Sequence, residues 1–164
     1  MPEARVPEHL DLKLANVDVL NIVRDIISKY HSSLDPDRIL VLFSTKELKS
    51  KGVRIWANIR VASPLVNMGF ASGAGLASDD DGTDRVIDYI LCIDEEIWEQ
   101  AEHGHRVAII DHELCHIEYN EKDKPKTVTH DCEEFTCVVR RHGLWSSSIQ
   151  ALIDAAELNK SGGE

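Results

Sequence analysis

VAIIDHELCHIEYN, residues 107–120, sets four polar side chains into an otherwise apolar run: Asp111, His112, Glu113 and His116. Packing alone favours Ile or Leu at such positions, and unpartnered imidazoles in an apolar helix are costly. A metal ion resolves the conflict. On a helix, positions i and i+4 lie about 40° apart around the axis and about 6 Å along it. His112 and His116 have that spacing, so their rings can converge on one ion at about 2.0–2.1 Å from each nitrogen. Glu113 sits beside the first ligand. A zinc ion held there acidifies water, and Glu113 is placed to take the proton as general base.

A catalytic zinc takes a third protein ligand and keeps an open position. The extended motif H-E-x-x-H-x-x-G-x-x-H is absent, with Tyr119 in the glycine slot and Lys122 in the third histidine slot. The next histidine is His130, fourteen positions after His116 and just beyond a polar turn around Pro125. We expect His130 as the third ligand. Glu133 and Glu134, one turn further on, are its rivals, and the glutamate that does not ligate is expected to orient an imidazole.

Bulk properties narrow the function. The chain has 164 residues, 43 % hydrophobic and 29 % charged, enough for one domain with a core. We expect a single domain over residues 1–164, with 1–15 and 160–164 flexible. The formal charge of −11 makes a poor match for a phosphate backbone, so nucleic-acid binding is disfavoured. Lys46–Arg60 holds five of the 18 basic residues, a weak cluster. No apolar run approaches the length of a membrane span, and MPEARVPEHL has no hydrophobic segment of a secretory signal. Four cysteines without a CxxC pair suggest free thiols and a cytoplasmic location.

Patterning outlines the elements. NVDVLNIVRDIISKYH repeats apolar residues at helical spacing, with Asn16 as cap, and LDPDR breaks it. ILVLFS, residues 39–44, predicts a buried strand, VRIWANIRV, 53–61, a half-exposed one, and RVIDYILCI, 85–93, a third. The glycine-rich stretch 68–85 reads as a long loop. Its Asp79–Asp81 run fits a solvated turn better than a calcium loop. Asp94 caps a short helix, the motif helix covers Val107 to about Asn120, Thr129 caps a helix that Gly143 ends, and residues 146–160 form a final helix. Strands ahead of helices make the fold α+β.

DHELCHIEYNEKDKPKTVTHDCEEF resembles the core of SprT-like, Spartan-type zincins, and the wider stretch Arg85–Trp145 resembles the phage metallopeptidase family. That resemblance implies a compact zincin-like domain of minimal gluzincin or SprT-like type. A small, mostly antiparallel sheet would pack on an active-site helix, with further helices C-terminal. It implies zinc on His112, His116 and His130, Glu113 as base, and a peptide or protein substrate laid along an edge strand, either 53–61 or 86–93. For a phage-encoded protein the location is the host cytoplasm. The DNA association of Spartan-type enzymes does not carry over, because no basic extension is present.

The leading expectation is a zinc metallopeptidase. Its alternatives are a catalytically silent zincin-fold binding protein that grips a host protein, and a zinc hydrolase of a non-peptide amide. Of the remaining candidates, Cys115 reads as a small core residue, and His103 and His105 as solvated loop histidines. Cys132 is a distant candidate for approach to the metal. Tyr119 and His142 are candidate oxyanion donors, Trp56, Trp98 and Trp145 core or edge aromatics, and Asp111 carries no catalytic role.

Overall fold

The computed structural model describes residues 11–71, 86–133 and 135–162. They form two compact units, one ending at Val128 and one beginning at Thr129.

The first unit is built around four strands in the order β1-β2-β6-β5. These are β1 (Leu12–Leu14), β2 (Ile39–Ser44), β5 (Ala57–Val61) and β6 (Tyr89–Asp94). β2 and β6 run parallel; β1 pairs antiparallel with β2, and β5 with β6. Both inner strands carry continuous apolar runs, ILVLFS and YILCID, as buried strands require. β6 is buried along its whole length and is an inner strand, while β1 and β5 are the two edges.

Two helices cover one face of this sheet. α1 (Val17–Tyr30) starts at Asn16, whose Oδ1 accepts the Val19 N–H at 3.2 Å, and buries Val19, Val23, Ile26 and Ile27. α4 (His103–Cys115) buries Ile109, Ile110 and Leu114 in the same core, with Val41, Phe43, Leu91 and Ile93 from the sheet. At about 25 cal/mol per Å² of apolar area removed from water, this cluster is the main source of the unit's stability. α2 (Pro64–Ala71) falls partly in the stretch expected to be a loop. The Asp79–Asp81 run lies outside the described residues. α3 (Glu95–Gln100) starts at Asp94 as expected, and Trp98 is buried against Phe43.

Three departures from the sequence expectations have physical causes. Residues 53–61 are two elements. β3 (Lys49–Ser50) and β4 (Val53–Arg54) form a hairpin across Lys51–Gly52, whose φ values of +50° and +81° suit a two-residue turn of the mirror-image type. Trp56 separates it from β5 and is 57 % exposed. The motif helix starts earlier and stops sooner than expected, at Cys115, with His116 as its C-cap. Beyond it, β7 (Ile117–Tyr119) and β8 (Pro125–Thr127) form an antiparallel hairpin where the periodicity suggested helix and turn. The Tyr89 hydroxyl holds this hairpin. It accepts the Lys126 N–H at 3.1 Å and shares its proton between the Glu118 and Lys126 carbonyls.

The second unit holds α5 (Thr136–His142) and α6 (Ser147–Ser161). α5 starts at Phe135, later than the expected Thr129 cap, and ends at Gly143, whose φ of +68° favours glycine. Ser146 caps α6, its Oγ accepting the Ile149 N–H. The architecture is α+β with a small, mostly antiparallel sheet. Among the described residues no helix is long and apolar enough to cross a membrane.

Candidate metal centre

α4 presents His112, Glu113 and His116 near its C-terminal end. The two histidine rings stand edge to face with centroids 5.2 Å apart, and each offers a nitrogen within 4.8 Å of the other's. His112 is exposed and His116 partly buried.

His116 is oriented by the main chain. Its Nδ1 lies 2.6 Å from the Val128 carbonyl oxygen. A carbonyl only accepts, so Nδ1 carries the proton, which in the neutral ring leaves Nε2 as the lone-pair nitrogen. The Val128 N–H in turn bonds the His116 carbonyl at 2.9 Å. Fixing one imidazole nitrogen through a backbone carbonyl is how proteins commonly set a metal-binding tautomer. The contact depends on the helix ending at Cys115. The β7–β8 hairpin then returns the chain antiparallel, bringing Val128 opposite His116.

Glu113 lies on the inner side of the helix, 7 % exposed. Burial raises its carboxyl above the usual carboxylate range, while His116 and the Ile59 backbone amide of β5 oppose the rise. A carboxylate with raised affinity for protons is a better base near neutrality than an exposed one. The donor set of two adjacent imidazoles, one with its tautomer fixed, suits a borderline cation such as zinc.

The other expected residues fall as follows. In the second unit, His130 has a side chain 45 % exposed, with Nδ1 3.9 Å from Glu133 Oε1, too long for a hydrogen bond. Glu133 is itself 88 % exposed. Glu134 lies outside the described residues, and Cys132 is partly buried. Cys115 corrects the sequence reading: it is exposed rather than a core residue, because it projects about 100° round the helix from Leu114. His103 and His105 are exposed, but on the first turn of α4 rather than in a loop. Tyr119 is committed elsewhere. Its hydroxyl donates to Asp88 Oδ2 at 2.7 Å, and Arg38 Nη2 lies 2.9 Å from the same oxygen. Burial and that bond push the Tyr119 phenol far above its ordinary range. His142 ends α5. Trp98 is the core aromatic of the three tryptophans, whereas Trp56 and Trp145 are each 57 % exposed.

The sequence reading missed the Val128 carbonyl and the Ile59 amide. Both act through the backbone, which every residue carries, so no side-chain pattern announces them.

No curated protein and no solved structure matches the chain. A family model described as "Putative phage metallopeptidase" matches residues 13–157, and with the paired imidazoles and buried glutamate of α4 inside that span, the chain belongs to this family.

Proposed function

We propose that the protein is a zinc-dependent metallopeptidase in which His112, His116 and His130 hold the ion and Glu113 is the general base. The observation that carries this reading is the Val128 carbonyl on His116 Nδ1, which turns the second imidazole into a ligand of fixed tautomer one helical turn from the first. Chain connectivity supports His130: it follows Val128 by two residues, a span of at most about 7 Å. When bound, the zinc supplies Lewis-acid chemistry, polarising a carbonyl and acidifying water.

The protein's own groups do the rest. Glu113 takes the proton of the attacking water on a carboxylate oxygen and passes it to the leaving amine. Its burial keeps that proton within the site, and its raised basicity matches the task. β5 is one of the two edge strands of the main sheet and passes close to Glu113 through Ile59. An extended peptide or protein segment laid beside β5 would gain backbone hydrogen bonds and present its scissile bond to α4. The net charge of −11 argues against a nucleic-acid partner.

Elemental analysis and peptide hydrolysis test the assignment together. Purified wild type should carry zinc, and His116→Ala and His130→Ala should each lose most of it. Glu113→Gln should keep the metal and lose hydrolysis. Undiminished zinc in His130→Ala would transfer the third position to Glu133 or Glu134. Biological activity that survives Glu113→Gln would establish the binding-protein alternative.

A further inference from the structure

α4 carries a second pair of donors at the same spacing. Asp111 and Cys115 precede His112 and His116 by one residue each, so they share a neighbouring face of the helix, rotated by about 100°. His31, the C-cap residue of α1, meets them there. Its Nε2 lies 2.7 Å from Asp111 Oδ1, and an imidazole nitrogen, a carboxylate oxygen and the Cys115 sulfur all lie within 4.8 Å of one another. His31 stands 80 positions before Asp111 and 84 before Cys115.

We propose that His31, Asp111 and Cys115 form a second metal site, for a borderline-soft divalent cation such as zinc. It is separate from the His112–His116 pair and does not depend on the peptidase reading. Three features support it. The donor types are complementary: nitrogen, oxygen and sulfur together suit zinc, whereas magnesium and calcium select oxygen alone. The scaffold is rigid, since α1 and α4 pack through Val23, Ile26, Ile27 and Ile110, all nearly inaccessible, and sites on packed helices hold their geometry better than sites on loops. The site is also reachable. The His31 side chain is 17 % exposed and that of Asp111 40 %, while Cys115 is exposed, leaving the fourth tetrahedral position to water.

Binding asks for a small adjustment. Two ligands at about 2.0 Å from a tetrahedral zinc sit about 3.3 Å apart, so His31 and Asp111 separate by roughly half an ångström from their present contact. The cation replaces the proton they share, and Cys115 binds as thiolate. The ion would then clamp the end of α1 to the last turns of α4, the segment that also positions His112, Glu113 and His116.

Cobalt titration of the metal-free full-length protein tests this. Thiolate ligation gives cobalt(II) an intense near-ultraviolet charge-transfer band, which a site of imidazoles and carboxylates lacks. Wild type should develop this band and take up two cobalt ions per chain. Cys115→Ser and His31→Gln should each lose the band and one equivalent. His112→Ala should keep the band while losing the other equivalent. Both Cys115→Ser and His31→Gln change accessible groups, and unchanged circular dichroism would show that they fold. Absence of the band in wild type, or its survival in Cys115→Ser, overturns the proposal. Survival would assign the band to another thiol, such as Cys132.

Discussion

Asp94, at the end of β6, and Glu113, in α4, are both carboxylates inside the first unit, 1 % and 7 % exposed. Their surroundings push them in opposite directions. Burial raises Asp94, but hydrogen bonds overcome it. Arg54 clamps both oxygens at 3.0 and 2.8 Å, the Leu48 N–H donates at 3.1 Å and the Ile97 N–H at 3.2 Å. The net result is a carboxyl held below its ordinary range. Glu113 has no such clamp, and burial leaves it above its ordinary range. A buried charge that is fully hydrogen-bonded is structural: it ties the β3–β4 hairpin to the start of α3. One that burial holds above its ordinary range weakens the fold at neutral pH, and shifts of this kind cluster at functional sites.

The sharpest way to break this comparison is Glu113→Gln assayed for hydrolysis. If Glu113 is the general base, as proposed above, its loss should lower kcat by about a thousandfold with metal content unchanged. A rate within a few-fold of wild type would remove Glu113 from the chemistry.

Stability separates the two carboxylates next. Asp94→Ala removes a helix cap and strands Arg54, and should cost about 3 kcal/mol in urea denaturation. A loss below about 1 kcal/mol would show that the clamp is ornamental. Arg54→Lys keeps the charge but loses the fork, and should cost about 1–2 kcal/mol.

The smallest effect has the opposite sign. In metal-free protein, Glu113→Gln should raise stability by about 1 kcal/mol at neutral pH, because it removes a buried charge that desolvation penalises. The pH profiles should diverge accordingly. Glu113 binds its proton more tightly folded than unfolded, so stability falls as pH rises from the ordinary carboxylate value through the raised one. The Gln variant should lack that fall. Asp94 behaves inversely: its contribution is present above the ordinary carboxylate value and disappears as pH drops through the lowered one. Parallel profiles for wild type and Glu113→Gln would mean that the glutamate is as well solvated as a surface group.

Local pattern was enough for elements whose burial follows their own periodicity. α1 has its cap and buried stripe where the sequence puts them, β2 covers the same six residues, Asp94 starts α3 and Ser146 starts α6. Local pattern falls short where a partner on another element decides. HIEYN continues a helical pattern, yet Ile117–Tyr119 is strand, because β8, just beyond the turn, and Tyr89, 29 residues before Glu118, satisfy its backbone. The helix is cut short at Cys115 for the same reason, and that cut lets the Val128 carbonyl reach His116.

Spacing along the chain already specifies the chemistry on offer: two imidazoles one turn apart, a carboxylate beside the first, and the Asp94 cap that starts α3. These depend on spacing along one helix, which 3.6 residues per turn converts directly into geometry. The protonation and company of those groups come from packing between elements. Which nitrogen of His116 carries a proton, how far burial raises Glu113, and whether Asp111 meets His31 all depend on segments outside the motif helix. Those segments are brought together by packing of apolar faces, and that packing is indifferent to the polar groups it carries along.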